Sequence, residues 1–291
     1  MECLICGGKD FVCIHNGTRD VPDVNVMKCT KCNMVRLDTF KYNTIVGYSE
    51  GGMLENAYSV TNDKVVDIDF FTWSKEAVDD DDRRYNALKD ICANKDVLEF
   101  GCGSGGFLRR IKQVANDVTG IELMDEAREY IGREGIEVYK TIDEVAKKYD
   151  VVCMFNVIEH LNNPDEILKG LYNILNDGGI FICETVNFEQ ALLTKYECKK
   201  FEDFTHWSHH PFLFSSDTLE KLISRNGFET KLNTQMQRYS LANHLYWLSN
   251  GKPGGHTKWL EFNGKELNNL YAQKLIELGM ADTLWYEGIK R

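Results

Sequence analysis

Four of the ten cysteines form two C-x-x-C pairs, Cys3-Leu-Ile-Cys6 and Cys29-Thr-Lys-Cys32, with 22 residues between them. A C-x-x-C turn presents two thiolates on one side of a tight loop, so two such hooks complete the tetrahedral sulfur shell that zinc prefers. Gly7 and Gly8 follow the first hook and supply permissive backbone. A closed four-sulfur shell has no open position for water or substrate, so the predicted role is structural. The competing readings are a redox pair or chance. Cys13 and His15 lie inside the loop as spare donors, but two intact hooks leave no vacancy.

A second grouping is Gly101-Cys102-Gly103-Ser104-Gly105-Gly106, directly after the apolar run Val97-Leu98-Glu99-Phe100 and before the amphipathic stretch Phe107 to Val114. Strand, glycine turn and helix make the ligand-binding unit of a doubly wound sheet, where backbone approaches the ligand at the sheet edge. Glu99 stands two residues before the first glycine, where a carboxylate repels a pyrophosphate and attracts a cation. A second strand, Asp117 to Ile121, ends at Glu122, about 20 residues beyond the loop, where an acid can accept hydrogen bonds from both ribose hydroxyls. The expected ligand is a nucleoside carrying positive charge.

A third grouping is histidine-centred. His160 follows Glu159, and imidazole chemistry near neutral pH suits a general base. The alternative is that both residues stabilise the Leu161-Asn162-Asn163-Pro164 turn into a helix over Asp165 to Leu175. Three of the seven histidines fall within Thr205-His206-Trp207-Ser208-His209-His210-Pro211. His210 is a candidate substrate contact or alternate base. A metal reading of the three lacks accompanying carboxylates.

The elements that must hold these groups fit an α/β chain. Val97-Leu98-Glu99-Phe100-Gly101-Cys102-Gly103-Ser104-Gly105 resembles motif I of the class I S-adenosylmethionine-dependent methyltransferases, and Gly120-Ile121-Glu122 resembles their acidic second-strand motif. Tyr149 to Leu161 is similar to the family's fourth strand with a Glu-His ending, and Leu175 to Ile182 resembles the turn and fifth strand that close the cleft. Together the matches cover about residues 90–230. The resemblance implies a Rossmann-like seven-stranded sheet, with a small N-terminal zinc-binding segment added. It further implies that Gly101, Gly103 and Gly105 approach the methionyl part, Glu99 its ammonium, Glu122 the ribose, and Leu123 and Met124 the adenine. Asn156 would line the floor near the transferable methyl. The third strand, Ile136 to Tyr139, is followed by Thr141, Ile142 and Asp143, which leaves the adenine-amino contact open.

Domain limits are expected at 1–45 for the zinc segment, 46–90 for a helical connector and 91–291 for the methyltransferase region. Strands six and seven, Phe228 to Gln237 and Thr283 to Ile289, flank a helical insertion at about 238–282. Its aromatic residues Tyr246, Trp247 and Trp259 read as packing, with sugar stacking or a dimer contact as alternatives. The acidic run Asp79 to Asp82 reads as a solvated face or a helix N-terminus.

Composition bounds the partners. With 34 Lys and Arg against 45 Asp and Glu, the net charge is −11, against a nucleic-acid or anionic-membrane partner. Residues 1–45 carry six basic and five acidic side chains and offer no phosphate-binding stripe. No run approaches the ~20 apolar residues of a membrane span, and Met1-Glu2-Cys3 does not open a signal segment, so a cytoplasmic location is expected. The expected activity is methylation, on oxygen or carbon, of a small molecule, first a sugar or nucleotide-linked sugar, by a monomer or homodimer. The alternatives are an RNA or protein methyltransferase that grips its substrate through the zinc segment, and a cofactor-binding scaffold without turnover.

Overall fold

A computed structural model describes residues 1–44, 48, 58–61, 64–67 and 78–291. Most of the helical connector expected over 46–90 lies outside the described residues. Within that span, β4 (Tyr58–Thr61) and β5 (Lys64–Asp67) form an antiparallel pair rather than helix, and α1 runs over Val78–Cys92.

Seven strands build the central sheet: β6 (Asp96–Phe100), β7 (Asp117–Ile121), β8 (Glu137–Tyr139), β9 (Tyr149–Phe155), β10 (Leu175–Val186), β12 (Phe228–Met236) and β13 (Thr283–Lys290). Their spatial order is β12-β13-β10-β9-β6-β7-β8. The pairs among β10, β9, β6, β7 and β8 are parallel, and β13 runs antiparallel between β10 and β12. The parallel strands read as continuous apolar runs because they are buried on both faces. Alternation decides which face each residue serves. Leu98, Val152 and Met154 join one cluster with Leu168 and Leu171 of α4 (Pro164–Ile174) and Leu219, Leu222 and Ile223 of α5 (Ser216–Arg225). Val97, Val151, Cys153 and Phe155 join the other. Their partners there are Leu88 of α1, Phe107, Leu108 and Ile111 of α2 (Gly106–Ile111), and Ile131 of α3 (Asp125–Gly132).

Local signals set the helix starts. Pro164 occupies the first turn of α4, and Ser215 with Thr218 forms a reciprocal capping box on α5. Between β12 and β13 lie α6 (Leu241–Asn250), a short helix over Gly255–Lys258, and α7 (Lys265–Glu277). Tyr246 meets Trp259 edge to face and Trp247 is buried against Leu192 and Cys198, so these aromatics are packed.

The first strands, β1 (Phe11–His15), β2 (Val26–Cys29) and β3 (Val35–Leu37), form an antiparallel sheet. Its fourth member, β11 (Phe212–Leu213), comes from the segment that carries the histidine cluster. The boundary expected at residue 45 is therefore crossed by a sheet. Leu213 packs with Val24, Val26, Val35 and Leu37, while Cys3, Cys29 and Met34 share the larger core cluster with Phe212 and Phe214. Among the described residues, no helix is long and apolar enough to cross a membrane.

Candidate functional site

The carboxyl ends of β6, β7, β9 and β10 point to one edge of the sheet, the edge where ligands bind in open α/β folds. After β6 the chain turns through Gly101, Gly103 and Gly105 at φ of 73°, 53° and 76°. At Gly101 a Cβ would sit 2.4 Å from Val157 Cγ2, and at Gly105 2.8 Å from Ile131 Cγ1, so backbone alone fits there. The Gly103 N–H donates to Glu122 Oε2 at 2.8 Å and the Met124 N–H to Glu122 Oε1 at 2.9 Å, which holds the carboxylate beside the loop. Arg128 donates to the Glu122 and Leu123 carbonyls, both at 2.7 Å. Met124 is buried and Leu123 partly exposed.

Glu99 is buried. Burial pushes its carboxyl well above the usual carboxylate range, Arg84 opposes this, and Asp81, Glu122 and Glu184 add to it. Glu99 Oε2 and Asn156 Oδ1 are buried without a hydrogen-bond partner among the described residues. Asn156 follows β9 at φ 52° and its N–H donates to the Glu184 carbonyl at 2.7 Å. An acid-rich edge with orphaned oxygens and a turn that excludes a Cβ at Gly101 and Gly105 fits a ligand that brings positive charge and hydrogen-bond donors, as S-adenosylmethionine does.

A buried ion cluster backs this edge. Glu184 accepts from Arg83 Nη2 at 2.9 Å and from Arg84 Nη2 at 2.7 Å, while Asp80 accepts from Arg83 at 3.0 Å and from Arg238 Nε at 3.0 Å. The Asp79 to Asp82 run begins α1, and it is solvated only in part: Asp79 and Asp82 are exposed, while the buried Asp81 pairs with Arg84 and Arg110. Residues Arg83, Arg84, Glu184 and Arg238 were not singled out from the sequence. The available signal was Glu184 itself, an acid inside the apolar run of β10.

Beyond β9, Ile158–His160 forms a single 3-10 turn. Glu159 is buried, accepts from Thr185 Oγ1 at 2.7 Å, and is pushed up to about 7 by burial. His160 is pushed down to about 4 by burial, so its ring is neutral at pH 7. Its Nδ1 lies 2.7 Å from the His209 carbonyl and 2.9 Å from Tyr48 Oη. The His160 and His210 rings meet edge to face at 4.6 Å, and Trp207 stands edge-on to both at 5.8 and 5.2 Å. No carboxylate was found in the sequence to accompany the histidines. The structure brings one: donor atoms of Glu159, His160 and His210 lie within 4.8 Å of one another. Such a set can move a proton or ligate a divalent cation.

Cys3, Cys6, Cys29 and Cys32 are free thiols whose Sγ atoms all lie within 4.8 Å of one another, with Cys3 to Cys32 at 3.3 Å and Cys6 to Cys29 at 3.6 Å. A tetrahedron with metal–sulfur bonds of ~2.3 Å has edges of ~3.8 Å, so the donor set and its spacing fit zinc. The Gly8 backbone N–H lowers the Cys6 thiol toward the thiolate a metal requires, while burial raises the Cys3 and Cys32 thiols. Cys13 instead bonds to Asn16 and the His15 carbonyl, and His15 to Asp203 and the Gly17 carbonyl, so both are committed elsewhere.

The family model described as a methyltransferase domain matches residues 76–232, more than half of the chain. The chain belongs to this methyltransferase family. Its motifs and sheet order are those of the class I S-adenosylmethionine-dependent methyltransferases. A ubiquinone biosynthesis O-methyltransferase of Shewanella halifaxensis is 27% identical over 157 residues, covering 47% of this chain and 66% of that relative. One from Acinetobacter baumannii is 28% identical over 176 residues, covering 54% and 73%. The methyltransferase thus spans slightly less than two thirds of the first relative's length. A crystal structure of an S-adenosylmethionine-dependent methyltransferase from Archaeoglobus fulgidus superposes with a TM-score of 0.51 at 16% identity, over 76% of this chain and all of that one, which shows the shared fold.

Proposed function

We propose that the methyltransferase moves the methyl group of S-adenosylmethionine to a hydroxylated small molecule, with His160 accepting the acceptor's proton and a structural zinc ion in the four-cysteine lobe. The observation that carries this reading is the position of His160, just beyond the carboxyl end of β9, on the same sheet edge as the acid-rich glycine cradle. Bound in that cradle, S-adenosylmethionine supplies a methyl carbon activated by a sulfonium. The amides of the Gly101 to Gly105 turn bind the methionyl part, Glu99 its ammonium, and Glu122 the ribose, while Leu123 and Met124 enclose the adenine and Asn156 lines the floor. With the cofactor's methyl group going to the acceptor oxygen, a ring nitrogen of His160 would take up the hydroxyl proton. Glu159 supports the turn that carries His160, and His210 contacts the acceptor. Alignment and exclusion of water supply most of the acceleration.

Two acceptor classes are consistent with a proton-accepting His160: a sugar or nucleotide-linked sugar, from the sequence resemblance, and a hydroxyl-bearing intermediate of quinone biosynthesis, such as a catechol, suggested by the relatives' name of ubiquinone biosynthesis O-methyltransferase. The test is calorimetric titration of S-adenosylmethionine and S-adenosylhomocysteine into the wild type and Glu122→Ala, followed by radiolabelled methyl transfer to nucleotide sugars and to catechols. Binding lost in the variant supports the cradle. Absence of binding by folded wild type sinks the reading, and His160→Gln should lower turnover by ~10²–10⁴ at unchanged cofactor affinity.

A further inference from the structure

Asn43 is buried just beyond the cysteine lobe, and its amide can point only one way. Nδ2 lies 2.7 Å from the main-chain carbonyl of His160, a group that only accepts, so this end of the amide is the NH2. A second bond, from Nδ2 to Asn162 Oδ1 at 2.9 Å, agrees, because Asn162 Nδ2 donates to the Asn43 carbonyl at 2.9 Å and so faces its own oxygen back. Asn43 Oδ1 is then the acceptor for two donors, Tyr48 Oη–H at 2.8 Å and His209 Nδ1–H at 3.3 Å. The Tyr48 hydroxyl has a second, longer acceptor in the His209 carbonyl at 3.4 Å, and with its proton on either acceptor its oxygen offers a lone pair to His160 Nδ1 at 2.9 Å. The His209 carbonyl offers another at 2.7 Å. Both neighbours of His160 Nδ1 are acceptors, so that nitrogen carries the proton.

Resting on the reading of His160 as the proton acceptor, we propose that Asn43 and Tyr48 are positioning residues that hold the His160 proton on Nδ1 and leave Nε2 as the lone-pair nitrogen presented to the acceptor. One amide oxygen anchors both acceptors, since it fixes the Tyr48 hydroxyl and restrains His209, whose carbonyl is the second partner. The same two acceptors stabilise the imidazolium formed once Nε2 takes a proton, a role a carboxylate fills in Ser-His-Asp triads. Asn43 and Tyr48 thereby contribute to the reaction site, although they precede the glycine motif in sequence.

The test needs no acceptor molecule. Long-range ¹H–¹⁵N spectra of the ¹⁵N-labelled full chain with S-adenosylhomocysteine bound, with His160 assigned through His160→Gln, should show Nδ1 protonated and Nε2 bare at neutral pH. Asn43→Leu should convert this to a mixture of tautomers at unchanged S-adenosylhomocysteine affinity, and lower methyl transfer at least ~10-fold once an acceptor is found. Tyr48→Phe, which keeps the ring, should speed exchange of the Nδ1 proton with water. A proton on Nε2 in the wild type overturns the proposal. So does an unaltered His160 pattern in folded Asn43→Leu, or an unaltered exchange rate in Tyr48→Phe. Failure of cofactor binding or of turnover would strike the methyltransferase reading instead and leave these spectra interpretable.

Discussion

Arg84 Nη2 lies 2.7 Å from Glu184 Oε1, and both side chains are buried, Glu184 completely. The pair pins α1 to β10 directly behind the cofactor edge. Removing one partner of a buried pair leaves the other charge uncompensated, which typically costs ~3–5 kcal/mol. Glu184→Gln should therefore lower the unfolding temperature by roughly ten degrees. Asp79→Asn, on an exposed neighbour of the same helix, should change stability by less than ~0.5 kcal/mol. Equal thermal shifts in the two variants would show that the cluster is not a structural anchor.

Glu159 gives a pH dependence of defined sign. Its folded-state value of about 7 lies above the ordinary 4.5, so the folded protein holds this proton more tightly than the unfolded chain. Stability is therefore lost as pH rises from about 4.5 to about 7, and is flat with respect to this group above that window. Glu159→Gln cannot ionise and should gain on the wild type across the same window, by up to ~1.4 kcal/mol per pH unit. Denaturant titrations at pH 5, 6, 7 and 8 measure the gap. A constant gap from pH 5 to 8 would mean that Glu159 is ionised throughout.

Gly101→Ala introduces a side chain at φ 73° with Val157 Cγ2 at 2.4 Å from the new Cβ. Left-handed backbone costs a residue with Cβ ~1–2 kcal/mol, and overpacking adds ~1–3 kcal/mol. The variant should lose S-adenosylhomocysteine binding even where it remains folded. Normal affinity in calorimetry would place the cofactor away from this turn.

Cys29→Ser removes one of four thiols and should reduce zinc from one equivalent per chain, with a lower unfolding temperature. Because β3 pairs with β11, the loss should also disturb the loop that carries His209 and His210, so acceptor turnover should fall while S-adenosylhomocysteine affinity stays near wild type. Elemental analysis reads the metal. Full zinc content in the variant would remove Cys29 from the shell, and a second equivalent in the wild type would put a metal at Glu159, His160 and His210 and end the role of His160 as base.

What sequence reasoning reached was local. The run Asp117 to Ile121 is a strand with those bounds, Val97 to Phe100 lies in the strand Asp96–Phe100, and the strand Tyr149–Phe155 covers the first half of the Tyr149 to Leu161 match, because continuous apolar stretches before glycine or acidic turns have few other folds. The cysteine hooks converge because their spacing is a ligand pattern in itself. The parts that escaped depend on partners 100 or more residues apart. Nothing near Asp80 announces Arg238, nothing near Glu184 announces Arg84, and Asn43 has no motif around it to tie it to His160. The two-residue strand Phe212–Leu213 is too short for any periodicity to reveal.

That short strand also orders events during synthesis. Its partner, Val35 to Arg36, is made about 175 residues earlier, so the cysteine lobe waits with an open sheet edge and without Leu213 until most of the methyltransferase region has been translated. Contacts this distant in sequence raise the loop-closure cost and slow assembly. Metal capture by the two hooks needs only residues 3–32 and can precede it. The cysteine lobe, made before the histidine loop, is thus completed only when that loop arrives to close it, which couples maturation of the lobe to that of the sheet edge beyond β9.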